Sequence, residues 1–364
     1  MNLFEEYKLG NITLNNRIIM APLTRSRAID NIPNDLMAEY YAQRAGAGLI
    51  ITEGTSPSPN GLGYPRIPGI FSAEQVAGWK KVTNAVHSKG GKIFLQIMHT
   101  GRVSHPLNMP DSAEVLAPSA VPLDGEMYTD QEGLKSYPRA KEMSPEDVEN
   151  AINEYVTASK NAIEAGFEGV ELHGANGYLI EQFLNPSTNL RNDKYGGNIE
   201  NRCRFAIEIA ERVTREIGAD KTGIRLSPYG AFNGMTPSYD TLDETYTYLS
   251  QKLGKLGVIY IHVVDHSSMG TPEVPQEIKN KIARAFGGTT IASGGLDKEK
   301  AIEAIDQEFG DLVAFGRKFL ANPDLVYRLK NDIQLNEPNP DTFYTPGKKG
   351  YTDYTFAKES VEQQ

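Results

Sequence analysis

Eight short apolar runs punctuate the chain. They are Arg17–Thr24, Leu49–Thr55, Lys92–His99, Gly169–His173, Thr222–Pro228, Val258–Asp265, Thr289–Gly294 and Leu312–Arg317. Each is rich in Ile, Val or Leu and lacks the alternation of a half-solvated strand, which is how a parallel strand covered on both faces reads. Between the runs the hydrophobic period becomes helical. Val148, Ile152, Tyr155, Ala158, Ala162 and Ile163 recur at spacings near three and four, as do Ala206, Ile209, Ala210, Val213 and Ile217. Helix starts are marked by Ser72 to Gln75, by Ser144-Pro145-Glu146-Asp147 and by Asn322-Pro323-Asp324. Gly166, Gly218 and Gly257 mark stops. Eight strands, each followed by a helix, predict an α/β fold, the (β/α)8 TIM barrel. An open doubly wound sheet fits less well, because no G-x-G-x-x-G follows the first strand.

The 364 residues exceed the about 250 of a typical barrel. The excess falls in two places, and the reading is one domain over 1–364. Residues 100–143 lie between the third strand and its helix and carry five prolines, among them Pro106, Pro118 and Pro138. A βα loop of that length sits over the barrel mouth, so it is read as a capping insert. The stretch 333–364 contains Phe343, Tyr344, Tyr351, Tyr354 and Phe356, and this aromatic content predicts a tail packed on the barrel.

Lys plus Arg number 37 and Asp plus Glu 47, a formal net charge of −10. Nucleic acid and anionic membranes both select basic surfaces, so neither is an expected partner. Cys203 is the only cysteine, which excludes an intrachain disulfide, an iron–sulfur cluster and a Cys-based zinc site. The first residues lack the basic start and apolar run of a signal peptide, and no apolar stretch approaches the about 20 residues that span a bilayer. The expectation is a cytoplasmic protein.

In a barrel, chemistry lies at the C-terminal ends of the strands. The seventh and eighth ends, Ser293-Gly294-Gly295 and Gly316-Arg317, suit a phosphate: glycines admit close backbone approach, a helix beginning near Asp297 adds its positive end, and Arg317 adds a bidentate donor. After the fourth strand, His173 and Asn176 are three apart and can converge as donors on one oxygen, polarising a carbonyl or nitro group. Tyr178 is a candidate general acid. Arg225, inside an apolar strand, needs an anionic partner, either Glu171 or an anionic cofactor. A competing class is a metal-dependent (β/α)8-barrel hydrolase using His262, His266 and Asp265, although neither H-x-H nor H-E-x-x-H occurs.

Ordered motifs add to this reading. They include Ala21-Pro22-Leu23-Thr24-Arg25, Gln96 with His99-Thr100-Gly101-Arg102, Glu171-Leu172-His173-Gly174-Ala175-Asn176-Gly177-Tyr178, and Phe315-Gly316-Arg317 with Ala321-Asn322-Pro323-Asp324. With Gly350-Tyr351-Thr352-Asp353-Tyr354 they run nearly the length of the chain, which resembles the old yellow enzymes, FMN-dependent ene-reductases on a (β/α)8 barrel. The resemblance implies FMN as cofactor, NAD(P)H as reductant and small electron-poor alkenes as substrates, reduced by a ping-pong mechanism. It implies that Pro22, Leu23, Thr24, Gly54, Gln96 and Arg225 surround the flavin ring, and that Ser293, Gly294, Gly295, Gly316 and Arg317 hold its phosphate. It makes His173 and Asn176 the substrate-oxygen ligands and Tyr178 the proton donor, with Tyr64, Met98 and Tyr351 as further substrate contacts. Met98 stands where many members have tryptophan, so substrate scope should differ there. The implied assembly is a monomer or small homo-oligomer. A flavin-binding protein without turnover is a third reading; a two-domain dienoyl reductase is excluded by the missing cluster and second domain.

Overall fold

The eight apolar runs become eight parallel strands: β1 Ile18–Met20, β2 Leu49–Ile51, β3 Ile93–Ile97, β4 Gly169–Gly174, β5 Thr222–Leu226, β6 Tyr260–Val264, β7 Thr289–Ser293 and β8 Leu312–Phe315. The protein is described by a computed structural model covering residues 2–307 and 310–357. Each strand pairs with the next in chain order, and β8 pairs with β1, so the sheet closes into a barrel. All of the strands but β4 are shorter than the runs. The ladder after β1 ends with the Ala21 N–H bond to the Phe315 carbonyl (3.0 Å), and Pro22 to Thr24 leave the barrel as a loop.

Register stacks chemistry at the open end. Glu171 lies opposite Gln96 on one side and Gly223 on the other; two residues further along, His173, Arg225 and His262 are neighbours across β4, β5 and β6. Below these polar layers the interior is apolar, with Ile19, Leu49, Ile51, Phe94, Ile291 and Leu312 fully buried. An antiparallel hairpin, Tyr7–Leu9 with Ile12–Leu14, adds buried Leu9 and Leu14 to the same cluster. A larger apolar shell fills the space between strands and helices.

The helices begin where the caps predict. Ser72 closes a capping box with Gln75 ahead of α2, Ala73–His87, which follows α1, Asp35–Gln43; Ser144 does so with Asp147 ahead of α3, Pro145–Glu164. Two helices follow β4: short α4, Leu179–Leu184, and amphipathic α5, Ile199–Ile217. Then come α6, Leu242–Lys255, α7, Gln276–Phe286, and α8, Lys298–Asp306. The helix expected after Asn322-Pro323-Asp324 is short α10, Leu325–Lys330, and a further short helix, α9, Arg317–Ala321, precedes it. The Asn322 side chain lies between them and bonds the backbone of Asn336, tying down the start of the tail. No helix among the described residues is long and apolar enough to cross a membrane.

The 100–143 segment folds as two small sheets. Leu116–Ala117 pairs with Lys141–Glu142, and Glu126–Thr129 forms a hairpin with Gly133–Ser136. Val103 and Met127 from it are buried in one cluster with Met98 and Tyr178. The tail is gripped by arginines. Arg25 donates to the carbonyls of Phe343 and Gly350, and Arg27 to those of Thr342 and Phe343. Residues 358–364 of the expected tail lie outside the described residues.

Gly48 lies where β2 begins against β1. Its N–H donates to Ile18 O (2.8 Å) and Asn16 Oδ1 (3.0 Å), and an added Cβ would collide with the Asn16 carbonyl oxygen. Gly48→Ala should therefore destabilise the protein by about 1–3 kcal/mol, seen as a lower urea midpoint at unchanged slope.

Candidate active site

A cavity of about 480 Å³ opens at the C-terminal ends of the strands. Its walls come from the loops after β1, β2, β3, β4, β6, β7 and β8, from strand residues such as Gln96 and Arg225, and from the tail.

The floor is organised by one carboxylate. Glu171 is fully buried and accepts from Gln96 Nε2 (2.8 Å), Tyr260 OH (3.1 Å) and His262 Nδ1 (2.9 Å). Burial alone would raise its pKa, but His262, Arg225 and Gln96 more than offset that and hold it below the ordinary carboxylate range. Burial holds His262 neutral; it passes the chain of bonds to Ser293 Oγ at 2.9 Å. Gln96 thus spends an amide N–H on Glu171 and keeps its carbonyl oxygen for a ligand donor. Arg225 is buried, makes no ion pair among the described residues, and leaves Nε without a partner. Burial lowers its pKa while Glu171 opposes. The alternative of an Arg225–Glu171 salt bridge is not realised, because Glu171 is occupied by three other donors.

The loop after β4 carries the second group. Asn176 takes a left-handed backbone (φ 61°) that asparagine tolerates, followed by Gly177 at φ 76°. His173 Nδ1 accepts from the Ala175 N–H (3.3 Å), which leaves the proton of the neutral ring on Nε2. Burial and nearby Arg225 push the His173 pKa well down, so the ring stays neutral. Tyr178 stands edge-on to His173, with centroids 4.9 Å apart, and its hydroxyl is 3.0 Å from that of Tyr64. Burial raises the Tyr178 pKa to about 12, so the phenol keeps its proton.

The far end is cationic. Arg317 and Lys318 line it beside Gly294, Gly295 and Gly316. An added Cβ at Gly294 (φ 138°) would collide with the Asp265 carbonyl oxygen, and one at Gly295 with Ser268, so glycine here lets two loops meet. One acid of the lining, Asp265, is paired with Lys279 at 3.0 Å. A cavity lined by Arg225, Arg317 and Lys318 in a chain of net charge −10 fits an anion. The helix near Asp297 is a correction: Asp297 caps α8 itself, accepting from the Lys300 N–H at 2.8 Å, so its own carboxylate occupies that positive end. The helix that opens onto the cavity is α9, beginning after Gly316.

Of the residues singled out from sequence, Pro22, Leu23, Thr24, Gly54, Gln96, Met98, His173, Asn176, Tyr178, Arg225, Ser293, Gly294, Gly295, Gly316 and Arg317 all line this cavity. Gly54 and Met98 interlock: a Cβ on Gly54 would lie 2.5 Å from Met98 Sδ. Tyr64 is a correction: it does not line the cavity and meets it only through Tyr178, hydroxyl to hydroxyl at 3.0 Å. Tyr351 is a correction. It is fully buried, stacked on Tyr40 at 4.0 Å and under Arg27, and does not line the cavity. Phe343 and Tyr344 take that wall instead. Their signal was the aromatic density of the tail, which could not say which ring faces inward. The insert supports Met98 and Tyr178 from behind but contributes no lining residue. The hydrolase reading lacks its donor set: no three His, Cys, Asp or Glu side chains gather as a metal site among the described residues, and His262 and His266 are bonded elsewhere.

Comparison with known proteins agrees with this arrangement. Residues 2–336 match the model of the NADH:flavin oxidoreductase / NADH oxidase family. The chain is 41% identical to 12-oxophytodienoate reductase 1 of Oryza sativa subsp. japonica, covering 99% of this chain and 94% of that one. It is 40% identical to 12-oxophytodienoate reductase 2 of Arabidopsis thaliana (97% and 95% covered). Among solved structures it superposes on morphinone reductase with TM-score 0.95 at 42% identity (98% and 97% covered). An old yellow enzyme homologue from Zymomonas mobilis gives 0.92 at 38% (98% and 99% covered).

The turn that carries Asn176 rests on Glu181, which accepts from Gly177 N–H, Ser227 Oγ (2.8 Å) and Tyr246 OH (3.1 Å). Burial lifts its pKa from the ordinary 4.5 to about 7. The native state then holds a proton the unfolded chain has lost, so stability falls as pH rises from about 4.5 through about 7. Glu181→Gln removes this titration, and its urea midpoint should decline less between about pH 5 and pH 8 than that of the unsubstituted protein.

Proposed function

Because the chain belongs to the NADH:flavin oxidoreductase / NADH oxidase family, the old yellow enzymes, we propose the following roles for its residues in an FMN-dependent reduction of activated C=C bonds by NAD(P)H. The observation that carries the reading is the convergence of three groups in one cavity: the donors His173 and Asn176, the phenol of Tyr178, and the unpaired Arg225.

FMN fits the residues present. Its phosphate suits the end formed by Ser293, Gly294, Gly295, Gly316 and Arg317, with the positive charge already on that rim. Its ring suits the middle: Thr24 offers a hydroxyl, Gln96 an amide carbonyl, and Arg225 a guanidinium whose unpartnered Nε awaits an acceptor. Pro22, Leu23 and Gly54 supply shape. When bound, FMN provides the hydride chemistry, oxidising NAD(P)H in one half-reaction and reducing the alkene in the other.

The protein's own residues do the rest. His173 Nε2–H and the Asn176 amide donate to the carbonyl or nitro oxygen of the alkene and orient it. Their bonds strengthen as negative charge moves onto that oxygen, which lowers the barrier more than it favours ground-state binding. Tyr178 gives its proton to the α-carbon. Tyr64, 3.0 Å away, can donate to the phenolic oxygen, turning the Tyr178 proton toward the cavity and steadying the phenolate left behind. Met98 shapes the alkene side; the insert buttresses it and forms part of the same domain. One cavity serves both half-reactions, so NAD(P)H and alkene bind in turn. The enzyme acts on small molecules. The reading extends to a cytoplasmic monomer or small homo-oligomer.

The purified protein should absorb as a flavoprotein and bleach on anaerobic addition of NADPH or NADH; a colourless protein with neither response would end the reading. Tyr178→Phe should slow alkene reduction by about 10²-fold or more, the usual contribution of a general acid, while reduction of the flavin by NAD(P)H changes little. Stopped-flow measurement of each half-reaction decides this, and an equal fall in both would remove Tyr178 from the proton-donor role.

A further inference from the structure

One cavity residue has no part in the roles above. His266 follows β6, lines the cavity, and bonds Asn176 Oδ1 through Nε2 at 2.7 Å. Asn176 is otherwise committed at its backbone. Its N–H donates to Ser227 Oγ (2.9 Å) and its carbonyl accepts from Asn233 Nδ2 (2.7 Å). With Oδ1 on His266, only Nδ2 has no partner among the described residues.

A primary amide offers a donor at one end and an acceptor at the other, and the two ends have nearly the same shape. Nothing in its covalent structure decides which end a ligand meets; a fixed neighbour must decide. His266 is such a neighbour. Its ring stands edge-on to Phe232, with centroids 4.5 Å apart, on the loop that also supplies Asn233. Its own loop is pinned by Asp265, which accepts from the Ser267 and Val274 N–H groups and from Lys279. A histidine presenting Nε2–H can satisfy Oδ1 and cannot satisfy the amide nitrogen.

We propose that His266 is a positioning residue that sets the polarity of the oxygen-binding pair, holding Asn176 by Oδ1 so that its N–H bonds are the end offered to the substrate oxygen. This rests on the reading of Asn176 as a ligand of that oxygen. Without His266 the amide can turn, and in half of its orientations an acceptor faces an oxygen that is gaining negative charge.

The test uses the flavin-loaded enzyme and the dissociation constant of 4-hydroxybenzaldehyde, whose phenolate stands in for the charged oxygen, read from the change in flavin absorbance. His266→Gln keeps an N–H donor at similar reach; His266→Met has similar length and none. The Met variant should bind about tenfold more weakly and the Gln variant within about threefold of the parent, as expected for one lost hydrogen bond. In an Asn176→Ala background the Gln and Met variants should bind alike, because no amide is left to orient. His266→Phe, which keeps the ring against Phe232, is the second donorless variant if the Met variant fails to retain flavin. Parent-like binding by the donorless variants, or an equal loss with and without Asn176, would overturn the proposal while leaving the pair intact. If Asn176→Ala alone leaves the dissociation constant unchanged, the reading of Asn176 fails first and the proposal falls with it.

Discussion

A carboxylate buried at the centre of the barrel's open end fixes the geometry around it. Glu171 has no exposure to solvent, and a charge in that position is tolerated only when donors surround it. Gln96 on the neighbouring strand β3 and Tyr260 and His262 on β6, one strand beyond β5, meet the demand, and leaving any buried donor unsatisfied costs about 1–3 kcal/mol. Two of the three face something else with their other end. Gln96 presents a carbonyl to the cavity, and His262 reaches Ser293 near its cationic end. One buried charge therefore sets the orientation of groups in separate parts of the same cavity.

The cavity divides its electrostatics. Arg225, Arg317 and Lys318 give one side of it positive potential. The substrate side is kept neutral: burial holds His173 and His266 unprotonated, His266 down to about 3, and Tyr178 protonated. Neutral donors bind a neutral carbonyl weakly and a charged one well, which is the discrimination that transition-state stabilisation requires. A protonated histidine there would bind any anion and would compete with the flavin phosphate.

Much of this was readable from residue order. Parallel strands buried on both faces leave unbroken apolar runs, and many of the polar residues that end them, from Thr24 to Arg317, reach one cavity because a closed barrel gathers its strand ends. Tyr351 shows the limit. Gly350-Tyr351-Thr352-Asp353-Tyr354 matched a family pattern, yet the ring stacks on Tyr40 while Phe343 and Tyr344 turn to the cavity. The direction of an aromatic in an irregular tail depends on what Arg25 and Arg27 grip, and no periodicity encodes it. Asp297 is similar: a helix begins beside it as the sequence predicts, but which helix end lines the cavity was set by the packing of the loops, and there it is α9.

The order of residues alone settled the number of barrel strands, their burial, the barrel and the kinds of side chain at its mouth, because strand and helix periods are local properties of a chain. Pairings across loops were settled only when the chain closed. Glu171 takes His262 and not Arg225, His266 takes Asn176, and Tyr64 takes Tyr178. Residues 90 apart in sequence meet at 2.7 Å through the register of strands and the packing of loops, and those are set by the whole molecule's close packing, which no short window of sequence contains.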